Sequence, residues 1–237
     1  HFGNCVAGCR AYLAHAGEMN LPSVLGSKSV NLRAGFGGLE GRQLQPDDMI
    51  HYRKPGLLSA RILNSLEQSL DKRPFAATNW SAGSFSAGIV KHQKIATALR
   101  ILRGTHFDQL SDESKKVFLH ETFRVSSASD RMGYRLEGER LKLNKAAELL
   151  SEPVQSGTIQ LPSSGHPIIL LADHQTHGGY PRIAHVVSVD IETVAQLQPD
   201  AGISFSEVTI EEAHELYLKR EYVIEEIKSA IALRCGF

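Results

Sequence analysis

The sequence lacks an excess of charge of one sign and lacks any long apolar run. Its 26 basic residues balance 26 acidic ones, so no positive field attracts a phosphate backbone or an anionic lipid surface. The longest purely apolar run, residues 168–172, is far shorter than the roughly 20 residues of a membrane-spanning helix. We therefore expect neither nucleic acid nor a membrane as a partner.

Cysteine is also scarce. Cys5, Cys9 and Cys235 are an odd number without a second pair, which excludes a disulfide framework and a zinc site built from paired cysteines. Reduced thiols are typical of the cytoplasm, which is the location we expect. The sequence has no initiator methionine and enters a strand-like segment within a few residues. This start predicts a truncated or processed chain whose N-terminal portion is missing.

The sequence does have enough apolar content for a core, since 42% of its 237 residues are hydrophobic. Short β-type runs bounded by Gly, Pro and Ser predict a mainly β fold with peripheral helices. The predicted strands are residues 9–16, 98–102, 123–126, 132–136, 168–171 and 183–188.

Three segments have helical spacing. Residues 57–70 and 112–120 are predicted connectors outside the sheet, and Ser111 is the expected N-cap of the second. The last helix begins at a capping box of Thr209 and Glu212, whose side chains can each bind the other's backbone N–H. We expect this helix to lie across the sheet as a closing element.

One stretch divides the chain. Residues 72–94 lose periodicity and become rich in Ser, Ala and Gly, which predicts a linker. Residues 1–94 are then the remainder of an N-terminal lobe with the linker, and residues 95–237 are a β-rich C-terminal lobe that ends in the closing helix.

The most informative polar segment is residues 173–181, between two predicted buried strands. Such strands fix both ends of a loop that stays accessible, which suits a binding site. Gly178 and Gly179 let backbone N–H groups approach a carboxylate, carbamate or phosphate oxygen. The alternative is a hairpin turn at the two glycines, with Tyr180 packed beside it.

The same loop carries ionisable groups. Asp173 and His174 provide an acid/base pair, beside the amide of Gln175 and the hydroxyl of Thr176. Together with His177 and His185 they invite a metal-site interpretation through the His-x-x-His spacing. Three-residue spacing on a strand or tight loop directs two rings to opposite faces, and no third-ligand pattern of a zinc enzyme is present. We therefore predict hydrogen-bonded or surface histidines and no metal site.

A second candidate is Arg131, within residues 126–138. Its guanidinium offers a bidentate fork for a carboxylate or phosphate, and Gly133 leaves room beside it. The alternative is a surface turn of Asp130 and Arg131 that leads into a strand.

Two further segments are ambiguous. The glycine-rich residues 25–38 lack the spacing of a phosphate-binding loop and are favoured as a structural turn. In residues 152–167, alternating small polar and apolar residues predict an exposed-edge strand and a loop. Gln160 could line a pocket there together with Gln155 and Ser156, although an ordinary polar loop explains them equally well. The candidate catalytic residues are Asp173, His174 and Arg131, and the candidate substrate-binding residues are Gln160, Gln175, Thr176, Gly178, Gly179 and Tyr180.

Five stretches between Cys9 and Asp190 resemble, in their order and residues, the biotin-dependent carboxyltransferase family, also called allophanate hydrolase subunit 2. They are CRAYLAHAG, PSVLGSKSVNLRAGFGGLEGR, SDRMGYRLEG, PVQSGTIQLPSSGHPIILLADHQT and GGYPRIAHVVSVD. Members include the C subunit of prokaryotic 5-oxoprolinase, an antagonist of a sporulation-kinase inhibitor, and half of the carboxyltransferase domain of urea carboxylase. The sequence departs from the family pattern at Glu18, where Gly is common, and at His177, where Thr is common.

The resemblance implies an architecture related to the cyclophilin-like β-barrel. It also implies a partner, the 5-oxoprolinase B subunit, which has a similar fold and is related to the sporulation-kinase inhibitor. The two proteins would couple ATP, bound with Mg²⁺ in the complex, to opening of the 5-oxoproline lactam. A separate protein, the A subunit, would complete hydrolysis to L-glutamate.

Three functions are compatible with the resemblance, and a 5-oxoprolinase component is favoured first. The second is a carboxyltransferase component of a biotin-dependent urea carboxylase or allophanate hydrolase system. It requires biotin on a partner, because no Met-Lys-Met acceptor occurs here. The third is a regulatory antagonist that binds a kinase inhibitor.

Overall fold

The computed structural model describes residues 7–68, 96–145 and 149–235. Within these residues, the chain forms a larger unit of residues 7–11 and 96–229 and a smaller unit of residues 12–68 and 230–235. The predicted linker, residues 72–94, lies outside the described residues, and the predicted lobe boundary stays a prediction.

The larger unit is built from short strands. Seven of its strands close into a barrel, and two others form a separate antiparallel ribbon. The strands in its described residues are β1 (Thr97–Arg103), β2 (Phe123–Val125), β3 (Gly133–Glu137), β4 (Glu152–Pro153), β5 (Thr158–Gln160), β6 (Ile168–Leu170), β7 (His177–Gly178), β8 (Arg182–Val186) and β9 (Gly202–Glu207).

The order around the barrel is β1-β8-β5-β6-β3-β2-β9. Its strands pair antiparallel except β1 and β9, which pair in parallel from Thr97 opposite Ile203 to Ile101 opposite Glu207. The mainly β fold with a closed barrel is therefore confirmed.

Alternate strand residues fill the barrel, as the two-residue period of a strand requires. On β1, Leu99 and Ile101 are fully buried, and Ile159 of β5 is buried in the same core. The rings of Phe118 and Phe205 stack with centroids 4.6 Å apart. Burial of each such side chain contributes about 1.5–3 kcal/mol, so the barrel interior is the main source of stability.

The described residues contain four α-helices: α1 (Leu57–Gln68), α2 (Asp112–His120), α3 (Ile191–Ala195) and α4 (Ile210–Cys235). The Ser111 hydroxyl accepts the Ser114 N–H at 3.2 Å, so the predicted N-cap of α2 is confirmed. The capping box of α4 is confirmed as well. Thr209 N–H donates to Glu212 Oε2 at 2.7 Å, and Glu212 N–H donates to Thr209 Oγ1 at 3.2 Å.

Helix α4 exposes most of its surface. Every side chain described in it is exposed or half-buried, and none is buried. Its predicted position across the sheet is therefore not supported by burial and stays a prediction. No helix among the described residues combines the length and apolar content that a bilayer span requires.

Residues 9–16 were predicted as a strand, and this prediction is wrong. In the larger unit, the backbone N–H groups of Cys9 and Arg10 both donate to Gln196 Oε1 at 3.0 Å instead of to a strand. Gly8 and Gly17, with φ of 69° and 138°, interrupt an extended backbone on both sides. Strand β9 was missed, although Ile203 and Phe205 alternate with small or polar neighbours.

The smaller unit contains the glycine-rich residues 25–38, which form turns with isolated bridges of Val24 with Ser27 and Asn31 with Phe36. Gly37 has a φ of 74°, and a Cβ there would lie 2.2 Å from the Ser29 carbonyl oxygen. The structural-turn interpretation of this segment is therefore confirmed.

Glu18 also lies in the smaller unit, where it contacts Lys28 at 2.5 Å and Arg53 at 3.1 Å. Lys28, and then Arg53, lower the pKa of the Glu18 carboxyl below its ordinary value. The glutamate at this departure from the family pattern therefore has two cationic partners.

A buried carboxylate joins β1 to the turn before α3. Asp190, 7% exposed, accepts hydrogen bonds from the Arg100 backbone N–H at 2.8 Å, from Nε at 3.0 Å and from Nη2 at 2.5 Å. Hydrogen bonding to Asp190 raises the pKa of the Arg100 guanidinium. The pair fixes the connection between β8 and β9 against the first strand.

We expect Asp190→Asn to lower the free energy of unfolding by about 1.5–3 kcal/mol, the contribution of hydrogen bonds to charged groups. Asp200→Asn is the matched control. The exposed Asp200 carboxylate contacts Arg124 at 3.2 Å, and Asn tolerates the φ of 68° there. The control should cost less than about 1 kcal/mol. Equal losses in urea unfolding would show that the Asp190 pair has no special role.

Candidate functional site

Arg131 and Asp173 lie side by side at one end of the barrel. Arg131 precedes β3 and Asp173 follows β6, and these strands pair with Gly133 opposite Leu170. The Asp173 N–H donates to the Arg131 carbonyl at 3.0 Å, and Arg131 Nη2 donates to Asp173 Oδ1 at 3.0 Å. The two candidates that the sequence offered separately are therefore in contact, whereas their catalytic roles stay predictions.

The turn interpretation of this segment is also correct. Asp130 Oδ1 accepts the N–H groups of Met132 at 2.8 Å and Gly133 at 3.3 Å, so its side chain shapes the approach to β3. Gly133 is buried, and a Cβ there would lie 3.0 Å from a methyl group of Ile168. The small size of Gly133 therefore allows β3 to pack against β6. The sequence had suggested that it leaves room beside Arg131.

The Arg131–Asp173 pair faces solvent, with side chains 56% and 47% exposed. Ion pairs of this exposure contribute at most about 1 kcal/mol to stability, so the fold does not require this one. A guanidinium has five N–H groups, and Arg131 directs one of them at Asp173. The exposed side of Arg131 can therefore bind an additional anionic oxygen.

His174 has a defined tautomer. Its Nδ1 lies 2.5 Å from the Gln175 carbonyl oxygen, and a carbonyl oxygen can only accept. Nδ1 therefore carries a hydrogen, and Nε2 is the ring nitrogen at which a proton can be exchanged. Asp173 and the half-buried His174 thus place a carboxylate and an imidazole base on adjacent residues.

Gln160 is buried on the outer face of the barrel. Ile159 of β5 points into the core, so its neighbour Gln160 points away from it, yet Gln160 is only 1% exposed. Its Oε1 accepts from Gln175 Nε2 at 3.4 Å, while its own Nε2 has no hydrogen-bond partner among the described residues. An unpaired buried amide costs about 1–3 kcal/mol, and this cost marks the position as unusual.

The cover over Gln160 is the two-stranded ribbon of β4 and β7, called the ribbon below. Pro153 lies opposite His177 and has no N–H, so the hydrogen-bonded pair of this ladder is Glu152 with Gly178. The Gly178 N–H is therefore used inside the ribbon. This corrects the expectation that Gly178 and Gly179 both offer N–H groups to a ligand, because only Gly179 lies beyond the ladder.

Gly178 has a second role in packing. A Cβ at this position would lie 2.4 Å from Gln160 Nε2 and 3.3 Å from Gln175 Nε2. At Gly179 the nearest atoms would be 3.4 Å and 3.6 Å away, an ordinary contact. The hairpin-turn alternative is wrong, because β7 pairs with β4 while β8 pairs with β1 and β5. Tyr180 is 49% exposed instead of packed.

Thr176 and His177 lie at the exposed edge of the ribbon. The Thr176 carbonyl accepts the Val154 N–H at 3.0 Å, and its hydroxyl lies 3.1 Å from His177 Nδ1. Within the described parts of the chain, no group of three or more His, Cys, Asp or Glu side chains could hold a metal ion. The His-x-x-His spacing therefore forms no such cluster there.

Two further histidines contact strands β5 and β8, and of these only His106 was missed from the sequence. The Thr158 hydroxyl lies 3.3 Å from His185 Nδ1, and the Arg182 N–H donates to His106 Nδ1 at 3.1 Å. Burial lowers the pKa of both imidazoles, and the positive charge of Arg182 lowers them further. No sequence signal placed His106 beside Arg182 of β8, because their contact depends on the loop after β1.

The family described as “Carboxyltransferase domain, subdomain A and B” matches residues 1–207, which include both the barrel and the candidate site. The chain belongs to this carboxyltransferase domain family.

Named relatives agree with this assignment. The carboxyltransferase-domain chain is 33% identical over 224 residues to the 5-oxoprolinase C subunit of Haemophilus influenzae, covering 94% of this chain and 64% of that protein. It is 36% identical over 206 residues to the Escherichia coli 5-oxoprolinase C subunit, covering 87% and 58%. The chain thus spans about three-fifths of the length of these curated relatives.

A solved structure shows the same fold. The crystal structure of the Kluyveromyces lactis urea carboxylase matches 93% of this chain and 19% of that one, with a TM-score of 0.70 and 22% identity. The carboxyltransferase domain therefore shares its barrel architecture with a solved protein.

We expect Gly178→Ala to lower the free energy of unfolding by about 1–3 kcal/mol, because the added methyl group overpacks the buried Gln160 amide. Gly179→Ala is the matched control, and its new Cβ makes only ordinary contacts. Thermal and urea unfolding of the two carboxyltransferase-domain variants would measure the difference. Similar stabilities would show that the ribbon does not press on Gln160.

The histidines generate a pH prediction. Because the folded-state pKa of His185 lies below its ordinary value, the unfolded chain binds more protons just below about pH 6.5. Stability should therefore fall as pH falls through this window. His185→Gln should lose less stability than wild type between about pH 7.5 and about pH 5.5. Adding His106→Gln should weaken the pH dependence of stability further. An unchanged slope of unfolding free energy against pH in both variants would contradict the prediction.

Proposed function

We propose that this chain is the C subunit of a bacterial 5-oxoprolinase and acts with partner proteins in the ATP-dependent hydrolysis of 5-oxoproline to L-glutamate. The observation that carries the proposal is its similarity to two 5-oxoprolinase C subunits over 94% and 87% of this chain. The segments that hold Arg131 and Asp173 lie inside the family match, residues 1–207.

The proposed partners are the B subunit, related to the sporulation-kinase inhibitor, and the A subunit, which completes hydrolysis, with the complex in the cytoplasm. The glycine-rich residues 25–38 form turns and do not open a helix, so they do not fit a nucleotide phosphate chain as a phosphate-binding loop would. We therefore assign ATP and Mg²⁺ to the assembled complex and not to this chain by itself.

The chemistry proposed for this chain is stabilisation of charge. Activation of a lactam builds negative charge on its oxygen, and fixed donors aimed at that oxygen contribute more than any single nucleophile. Arg131 and the Gly179 N–H are the proposed donors. Gln175 and Thr176 are proposed to hold the polar edge of the substrate, with Tyr180 at the exposed margin.

Proton movement is assigned to the neighbouring pair. The Asp173 carboxylate is held by Arg131 at 3.0 Å, and His174 offers Nε2 as a base. Either group can accept the lactam N–H proton as the oxygen is activated and return it to the nitrogen as the C–N bond breaks, which requires hydrogen-bond reach in the bound state. The ion pair keeps Asp173 oriented while its second oxygen stays available to a substrate.

A second candidate function is favoured by the family name itself. A carboxyltransferase component would accept a carboxyl group from biotin carried by a partner, and the same donors would stabilise the oxygen of the acceptor amide. A regulatory antagonist of a kinase inhibitor would need only a protein interface. Purified complexes with each partner class, assayed with 5-oxoproline or urea, would separate these functions.

We expect Asp173→Asn to reduce 5-oxoproline turnover by roughly 10²-fold or more, because it removes the charge and the base while preserving shape. Assembly with the cognate B subunit should be unchanged in size-exclusion chromatography. Asp200→Asn, which alters an exposed Asp–Arg pair elsewhere on the barrel, is the control and should keep wild-type turnover.

Two results would oppose the proposal in different ways. Wild-type turnover by the Asp173→Asn complex, at saturating ATP and 5-oxoproline, would make Asp173 a structural residue. A full-length protein that stays apart from its cognate B subunit, or that hydrolyses 5-oxoproline without it, would overturn the proposed assembly.

A further inference from the structure

Arg182 connects the barrel to the ribbon. Its Nη1 donates to the Pro153 carbonyl at 3.3 Å, and its Nη2 contacts the Glu152 carboxylate. The Arg182 side chain is 20% exposed and the Glu152 side chain is 51% exposed, so the cation is half-buried while its carboxylate partner faces solvent. One side chain of β8 therefore holds both residues of β4.

The barrel end of this connection is fixed. The Arg182 N–H donates to His106 Nδ1 at 3.1 Å, and the Arg182 carbonyl accepts the His106 N–H at 3.0 Å. Arg182 also lies opposite Gln160 in the pairing of β8 with β5. The guanidinium is thus mounted on a backbone held on both sides, which suits a residue that sets the position of another segment.

The ribbon needs such a connection. Where it lies over Gln160, the buried Nε2 has no hydrogen-bond partner among the described residues, and Gly178 is the residue directly above it. Lifting the ribbon would give this amide access to water. The seated ribbon is therefore unfavourable at Gln160, and another contact must offset that cost.

We propose that Arg182 is a positioning residue that seats the ribbon on the barrel through Glu152 and Pro153, and thereby fixes the Gln175–Gly179 segment at the candidate site. The ribbon strand β7 lies within this segment, so its placement sets where the Gly179 N–H and the Gln175 amide point. That these groups meet 5-oxoproline rests on the proposed function, whereas the seating of the ribbon does not.

Hydrogen–deuterium exchange tests the seating directly. The reporters are the Val154 N–H, bonded to the Thr176 carbonyl at 3.0 Å, and the Gly178 N–H of the same ladder. In Arg182→Met these amides should exchange about tenfold faster or more, because two contacts to the ribbon are lost. Glu152→Gln should give a smaller increase, and Arg182→Lys, which keeps the charge, should recover part of the protection.

The matched control is Glu207→Gln. Arg103 contacts Glu207 at 2.7 Å and so joins β1 to β9 without touching the ribbon. Ribbon exchange in this variant should equal that of wild type. Equal acceleration in the control and in Arg182→Met would assign the effect to general loss of stability and overturn the inference.

A second substitution distinguishes the positioning of the ribbon over Gln160 from the simple loss of the Arg182–Glu152 ion pair. Gln160→Met keeps the length of the side chain and removes the unpaired Nε2 group, so the ribbon no longer gains hydration of that group by lifting; the long 3.4 Å hydrogen bond from Gln175 is lost as well. Combined with Glu152→Gln, it should return ribbon exchange to near the wild-type rate. Persistent fast exchange in the double variant would show that Gln160 is not what opposes the ribbon.

Kinetics of the assembled complex complete the test. With 5-oxoproline and ATP, Arg182→Met should lower kcat/KM about tenfold or more, and Arg182→Lys should recover part of it. Fast ribbon exchange with unchanged kcat/KM would overturn positioning at the site. A wild-type complex without turnover would refute the proposed function, while the exchange data would still decide whether Arg182 seats the ribbon.

Discussion

The parallel pairing of β1 with β9 is the constraint on which the rest of the larger unit depends. A parallel pair cannot be joined by a tight turn, so the chain must leave β1 and return through a long connection. Here that connection contains all the remaining strands, β2 to β8, which include the rest of the barrel and the ribbon. Closure therefore sets the place of β3, β6 and β8, whose ends carry Arg131, Asp173 and Arg182.

The charges of this unit have two different uses. Asp190 is buried and holds Arg100 with three hydrogen bonds, so its carboxylate maintains the framework. Arg131 and Asp173 form a pair of similar length at the surface, where water competes for both ions and stability gains little. Exposure, and not distance, thus distinguishes a structural ion pair from one that is available to a ligand.

Local patterns in the sequence predicted much of the fold. Short β-type runs bounded by Gly, Pro and Ser located β1, β2, β3, β6 and β8, and capping residues located the starts of α2 and α4, because these signals act within a few residues. The strand expected at residues 9–16 failed for the opposite reason. Its backbone donors bind Gln196, a partner nearly 190 residues away that no local pattern reveals.

Some features of the candidate site could likewise be predicted from the sequence, and others could not. Side-chain chemistry singled out Arg131 and Asp173 as separate candidates, and the structure has these two residues in contact. The use of the Gly178 N–H inside the ribbon and the burial of Gln160 follow from the pairing of β7 with β4. That pairing involves two-residue strands, which are too short to have a periodic signal, so neither feature could be predicted from the sequence.

The close approach of Gly178 to Gln160 also links two positions in evolution. A side chain at residue 178 would occupy the space of the Gln160 amide, so the ribbon can tolerate it only if residue 160 becomes shorter. The two positions lie on different sheets, and their side chains share one packing space. Substitution histories at 160 and 178 are therefore expected to be correlated, with large residues at one position accompanied by small residues at the other.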